Sequence, residues 1–323
     1  MQRKHFLATL AGLALATTLP LAHAQDTKPL EWVVGYAAGG GSDIVARTIA
    51  ESMSATLGRP IVINNKPGAG TNIAAEYSAR NKDYGNLIFS ADFATLAANP
   101  FLFSKLSYNA EKDFQPVGLL VRFPMFLVVS NNVPAKNLKE FMAWAKGQAD
   151  GVNWASAGPG SPHHLVGELF REQSGLNLVH VPYRGAAPGV QDVVGGQIPA
   201  MWLDSASAYP FINGKKLKAI AVASPTRLST LPDVPTVNEA LGLNDYELVG
   251  WFGILAPAKT PQEVVLRLNA EINKLMREPS FLEVIRGAGG DPLGGTPAQF
   301  EARMRRDEAR LSEVIRISGA KAN

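Results

Sequence analysis

Short apolar runs alternate with stretches of helical periodicity almost from end to end, the pattern of an α/β protein. The spacing predicts strands over 30–34, 60–64 and 87–90, and helices over 43–57, 71–79 and about 95–98. Residues 114–130 read as two linked strands broken near Pro124. The pattern then restarts with a helix over 138–147, a strand over 153–156, a helix over 162–173, a strand over 178–181 and a helix over 188–194. Strands follow over 200–203 and 217–223, and again over 247–256; the remainder is helical. Thr260-Pro261-Gln262-Glu263 and Thr296-Pro297-Ala298-Gln299 both read as capping boxes with Pro at the first helical position. After the first of them, Val264, Val265, Leu268, Ile272, Leu275 and Met276 share one helical face. The restart implies two α/β lobes with a cleft between them. The chain would cross near Pro124 and near Trp251, returning its last helices to the first lobe. One doubly wound sheet is the alternative architecture.

The first strand–helix junction carries Gly35-Tyr36-Ala37-Ala38-Gly39-Gly40-Gly41-Ser42-Asp43. Consecutive glycines leave backbone N–H groups uncovered, and the following helix points its positive dipole end at the loop. Such a junction can hold an anion without a charged side chain. Ile44 stands where G-x-G-x-x-G needs its third glycine, and no Gly-Lys-Ser/Thr follows. A small carboxylate therefore fits better than a nucleotide phosphate; the alternative is a tight turn that binds nothing.

The second lobe repeats the arrangement at Ala157-Gly158-Pro159-Gly160-Ser161-Pro162, where Ser161 is a natural N-cap and Pro162 a natural first helical residue. Gly158, Gly160 and Ser161 offer a second set of free N–H donors, or an ordinary capped turn. A third junction, residues 64–72, places Gly68 and Gly70 for close approach and Thr71 or Asn72 as a cap. In the loop after 178–181, Tyr183 can line a cleft and donate a hydrogen bond, and Arg184 pairs with an anion or faces solvent. Asp204 ends an apolar run, where ligands bind in α/β lobes; it accepts a bond from a ligand or caps the next segment. His163 and His164 are neighbours on a helix and do not share a face, so they cannot chelate one metal. No G-x-S-x-G is present, and Ser42 and Ser161 read as caps rather than nucleophiles.

The ends and the composition narrow the class. Arg3, Lys4 and His5 precede an apolar core over 6–19, and Ala22-His23-Ala24 is an A-x-A site, so residues 1–24 read as a secretory signal and the mature chain as beginning at Gln25. That apolar core is shorter than the ~20 residues of a membrane-spanning helix. The 323-residue chain has no cysteine; disulfides, a thiolate nucleophile and a cysteine metal site are excluded. Cleavage removes two bases and no acid, so the net charge falls from +3 to +1. With no Lys/Arg cluster, nucleic acid is not expected as a partner. An exported, cysteine-free chain of this size suits a bacterial periplasm.

These residues resemble the Bug receptors, the solute-binding proteins of tripartite tricarboxylate transporters. The resemblance spans the mature chain and rests on Gly39-Gly40-Gly41-Ser42-Asp43-Ile44-Val45-Ala46-Arg47, Asn64 with Lys66-Pro67-Gly68-Ala69-Gly70, and the run from Ser156 to His164. Val181-Pro182-Tyr183-Arg184-Gly185, Gly195-Gly196-Gln197 and Leu231-Pro232-Asp233-Val234-Pro235-Thr236 complete it. It implies a two-lobed Venus-flytrap fold, each lobe a mixed sheet flanked by helices, with lobe 1 formed by 25–124 plus 251–323 and lobe 2 by 125–250. A carboxylate would be held between residues 36–43, including Tyr36, and residues 158–163, including His163, through backbone N–H groups and water. Gly70, Thr71, Asn72, Ala91, Asp92, Tyr183 and Asp204 are further pocket positions implied by the resemblance. The implied protein is a monomer without cofactor, metal or catalytic residues that hands a small organic acid to membrane permease subunits. A sensor with the same fold, and a periplasmic hydrolase, stand as alternatives. The chain departs from the family at Ala37-Ala38, where a proline pair is common, and at Asn81-Lys82-Asp83-Tyr84-Gly85. The first change removes φ restraint from the ligand loop.

Overall fold

Two mixed β-sheets frame a computed structural model that describes residues 28–92, 94–244, 246, 250–318 and 320–322. The predicted signal segment lies outside the described residues. The first sheet is built from β1 (Leu30–Val34), β2 (Ile61–Asn65), β3 (Leu87–Ala91), β4 (Phe114–Phe123), β10 (Gly250–Pro257) and β11 (Asp291–Pro292), in the order β11-β4-β10-β3-β1-β2. β1 is parallel to β2 and β3, whereas β10 runs antiparallel between β3 and β4. The second sheet holds β5 (Met125–Ser130), β6 (Val152–Ser156), β7 (Leu178–Pro182), β8 (Ala200–Asp204) and β9 (Leu217–Val222), ordered β7-β6-β8-β5-β9. Here β6 is parallel to β7 and β8, and β5 is antiparallel to β8 and β9. This is the two-lobed α/β architecture, not one doubly wound sheet.

The chain leaves the first sheet at Pro124, the one residue between β4 and β5. Proline has no N–H to continue a ladder, so one long apolar run serves two sheets. The return falls between α8 (Val237–Leu241) and β10. β10 is buried along its whole length. At Gly253 a Cβ would overlap the Phe300 ring, which packs edge-on against Trp251 at 5.4 Å and 88°. Phe300 belongs to α11 (Pro297–Ser318), and that helix packs on both β4 and α5 (Pro162–Ser174). One continuous apolar cluster accordingly joins Phe89 and Trp251 of the first lobe to Trp154 and Trp202 of the second.

The remaining helices are α1 (Gly41–Leu57), α2 (Asn72–Arg80), α3 (Asn99–Leu102), α4 (Leu138–Lys146), α6 (Ala186–Val194), α7 (Ser205–Asn213), α9 (Gln262–Leu275) and α10 (Pro279–Gly287). The predicted helix near 95–98 is a π turn, Ala94–Ala98, running into α3. The spacing predicts neither α7, whose apolar residues are not confined to one stripe, nor α8, five residues long.

Capping differs from expectation at three places. The box at Thr296 forms, with Gln299 N donating to Thr296 Oγ1 at 3.2 Å and Thr296 N to Gln299 Oε1 at 2.8 Å. The box at Thr260 does not. α9 is capped by Pro261 without a side-chain bond, and the Thr260 hydroxyl is buried with no partner among the described residues. Ser42 is no cap either, because α1 begins at Gly41 and its N-cap is Gly40. Thr71 takes the N-cap position of α2 without a side-chain cap bond: its Oγ1 bonds Thr95 Oγ1, and Asn72 Oδ1 accepts from Asn99 and Tyr108.

Candidate site in the cleft between the lobes

The β1–α1 loop is braced by its own carboxylate. Asp43 sits in the first turn of α1 and accepts from Gly39 N and Arg47 Nε, both at 2.9 Å, and from Asn65 Nδ2 at 3.0 Å. Burial pushes the Asp43 carboxyl up, but these bonds outweigh it and hold it below the usual carboxylate range. Asp43 is thus a loop brace, and Gly40, Gly41 and Ser42 are left facing the cleft. Their N–H groups belong to the first turn, which has no intrahelical acceptors.

The β6–α5 loop differs from its expected role. Gly158 N donates to Ser156 Oγ at 3.0 Å and Gly160 N to His164 Nδ1 at 3.1 Å. These two N–H groups are engaged within the second lobe and are not the free donors that the glycine pattern suggests. Ser161 is the N-cap, accepting from His164 N at 3.2 Å. The helix start therefore presents Pro162 and His163 to the cleft.

Between these two loops lies a cavity of ≈ 10 Å³ lined by Tyr36, Gly40, Asp92, Ala157, His163 and Asp204, with Ala186 and Phe252 also in its wall. That is room for about one water, so the lobes stand closed. The N-termini of α1, α5 and α6 converge on it. Its polar side chains form two pairs. The Tyr36 hydroxyl donates to Asp92 Oδ2 at 2.5 Å, and His163 Nε2 lies 3.2 Å from Asp204 Oδ2. Burial pushes the Asp92 carboxyl up, only partly offset by Tyr36 and the N–H groups of Ala94 and Thr95. For Asp204, burial is outweighed by His163 and by Ser207, which hold the carboxyl down. Asp204 also caps α7, accepting from Ser207 N at 2.9 Å. No Lys or Arg lines the cavity among the described residues.

Glycine lets the lobes approach this closely. A Cβ on Gly41 of α1 would overlap the Asp204 carboxylate of the other lobe, and one on Gly70 would overlap the Pro159 carbonyl. A Cβ on Gly160 would come within 2.5 Å of Asn99 Oδ1, and one on Gly185 within 2.8 Å of Ala37 N. Ala37 N itself donates across the cleft to Arg184 O at 3.1 Å. A proline at 37 has no hydrogen to give. Ala37→Pro is expected to weaken ligand binding by about two- to tenfold, the net worth of one hydrogen bond, as read by titration calorimetry.

The other expected positions lie off the cavity. Gly39, Asp43, Gly158, Gly160 and Ser161 build its two loops. Gly70, Thr71 and Asn72 sit beside it at the lobe junction, where Asn99 Nδ2 donates to Gly70 O at 2.6 Å. Ala91 ends β3 next to Asp92. The Tyr183 hydroxyl turns to its own lobe and donates to Asp192 Oδ2 at 2.5 Å. Ala157, Ala186 and Phe252 line the cavity but were not legible as site residues. The first-turn helical position of Ala186 is the signal that points to it; Ala157 and Phe252 carry none. A larger groove of ≈ 430 Å³ lies on the outer face of the first lobe between α1, α9 and α10, away from the converging helix ends. No metal-ligating cluster occurs among the described residues.

Behind the second loop, His164 and His180 stack at 4.2 Å against Trp154. Ser156 Oγ accepts from Gly158 N and lies 2.6 Å from His180 Nε2. Burial pushes the His180 imidazole down to about 4, with Arg171 adding to the effect, and burial holds His164 down as well. An unfolded histidine takes up its proton near pH 6.5, so between that value and about 4 the unfolded state binds more protons. Stability is therefore expected to fall as pH drops from 7 toward 4, and His180→Asn is expected to flatten that slope in urea titrations.

The two-lobed fold has solved counterparts. The periplasmic binding protein BugD is 34% identical with a TM-score of 0.87, matching 91% of this chain and 98% of its own. Rpa4515 of R. palustris, solved with adipate, is 28% identical with a TM-score of 0.89 over 92% of this chain and 99% of its own. MatC (Rpa3494) from Rhodopseudomonas palustris, solved with malate, is 31% identical with a TM-score of 0.84 over 90% and 99%. The model of the tripartite tricarboxylate transporter family receptor matches residues 45–319. With that match covering most of its length, the chain belongs to the tripartite tricarboxylate transporter receptor family.

Proposed function

We propose that this chain is an exported solute-binding protein that closes its lobes, 25–124 plus 251–323 and 125–250, on a small carboxylate. One observation carries the reading: the N-termini of α1, α5 and α6 converge on a single cavity at the lobe junction. Each helix end favours an anion by about 0.3–1 kcal/mol when exposed and up to ~2 when partly buried. Direct hydrogen bonds to the charged group add roughly 1.5–3 kcal/mol each. A few such contacts support micromolar binding, about 8 kcal/mol. The adipate bound by Rpa4515 and the malate bound by MatC are acids of the expected size. Either is larger than the closed cavity, so it enters with the lobes apart and the lobes settle around it.

Cleavage after Ala24 would leave a periplasmic monomer serving the membrane subunits of a tripartite tricarboxylate transporter. Turnover is not part of this reading: among the described residues the cavity's one histidine pairs with Asp204 and makes no hydrogen bond to Ser42, the serine in its wall. A thermal-shift screen of residues 25–323 against malate, adipate, citrate, glutamate and benzoate tests the proposal. At least one acid is expected to raise the melting temperature by several degrees. A folded protein that responds to none would overturn it.

A further inference from the structure

The cavity's electrostatics do not suit an anion as they stand. Two buried carboxylates, Asp92 and Asp204, face it, each 2% exposed, and no Lys or Arg does so among the described residues. The remaining ionisable wall group able to become positive is His163, 5% exposed. Its Nδ1 is buried with no hydrogen-bond partner among the described residues. A buried polar atom left bare is costly, which marks it as an atom awaiting a partner.

Asp204 decides what that atom can do. Its Oδ1 accepts from Ser207 N and its Oδ2 faces His163 Nε2. An ionised carboxylate only accepts, so the hydrogen of a neutral imidazole must sit on Nε2. Nδ1 is then a lone pair, which repels an incoming carboxylate. Only the doubly protonated ring has an N–H at Nδ1 and a positive charge to match.

We propose that His163 is the charge-bearing recognition residue of the cleft, taking up a proton on Nδ1 as a ligand carboxylate arrives and donating that N–H to it. The proton comes from solvent, no covalent bond other than N–H is made, and Asp204 balances the imidazolium from the other side. This rests on the carboxylate reading of the cavity. The groups that face His163 are Asp204 at the end of β8, Asp92 after β3 and Tyr36 after β1, whose hydroxyl is committed to Asp92. On its own helix, Glu168 pairs with Arg171 and His164. From β7, His180 faces His164, and on α11 Arg303 and Asp307 pair with each other.

The test is calorimetry at pH 8 in Tris and in HEPES, whose ionisation heats differ, with malate, adipate, citrate, glutamate and benzoate. The difference in apparent enthalpy gives the protons taken up per ligand bound. Wild type is expected to take up close to one, with affinity rising by up to tenfold per pH unit as pH falls from 8. His163→Gln is expected to lose the uptake and the pH dependence along with most of the affinity. Asp204→Asn separates the tautomer argument from simple loss of charge. Its Oδ1 can still cap Ser207, its Nδ2 then donates to His163 Nε2, and the hydrogen of the neutral ring moves to Nδ1. That variant is expected to bind the acid with uptake near zero. Binding by wild type without proton uptake would overturn the proposal and leave the carboxylate reading intact, as would full uptake retained in His163→Gln, which places the proton on Asp92. Heat from none of the five acids would overturn both.

Discussion

Gly70→Ala is expected to lower carboxylate affinity at least a hundredfold while leaving a folded protein. Gly70 has φ +57° and ψ +45°, and its missing Cβ is the space into which the Pro159 carbonyl of the opposite lobe fits. Pro159 O is a backbone atom in a loop fixed by Gly158, Ser161 and His164, so it cannot swing aside. A left-handed alanine costs roughly 1–2 kcal/mol with the lobes open or closed. The clash exists only when they close, and a hundredfold loss needs about 2.8 kcal/mol of it. Gly175→Ala is the matched control, since Gly175 has φ +64° and nothing within 4 Å of its would-be Cβ. It is expected to lose similar stability and no affinity. Calorimetry with the best-binding acid, together with a urea titration of each variant, separates the two effects. Wild-type affinity in Gly70→Ala would mean that the lobes do not close as described.

The second large effect is on stability. Phe300→Ala is expected to destabilise the protein by about 3–5 kcal/mol, the usual cost of emptying an aromatic site in a core. Phe300 is fully buried, stands edge-on to Trp251 and fills the hollow above Gly253. Its helix touches both lobes, so the loss falls on the cluster that joins them. A urea midpoint lowered without change of slope is the expected readout. A shift under 1 kcal/mol would show that α11 is dispensable to the joint.

Local chemistry made much of this fold legible. Apolar runs gave β1 to β9 within a residue or two and the end of β10, but not the two-residue β11; Pro124 announced the first crossing, and Ser161-Pro162 announced the start of α5. Failures came where a neighbouring group takes the expected role, and where partners are distant in sequence. Thr260 has the composition of a capping box, yet α9 begins so that Pro261 takes the N-cap, and the hydroxyl is stranded. Gly158 and Gly160 look like bare donors, but Ser156 and His164 occupy both N–H groups. Those glycines instead give room, at φ +120° and +75°, for a loop that meets the first lobe. Asp204 was legible as an acid at a strand end. Its seat over Gly41 was not, because 163 residues separate them and only closure brings them together. The same holds for the Ala37–Arg184 bond, which gives the departure from a proline pair a physical consequence.

The central claim is that the converging helix ends and His163 recognise a carboxylate's charge. Calorimetry of the best-binding acid against its primary amide on residues 25–323 tests this most directly. The amide keeps the size and shape and removes one charge. The account predicts that the acid binds near the micromolar range and the amide at least a hundredfold more weakly. Equal affinity for the two would contradict it.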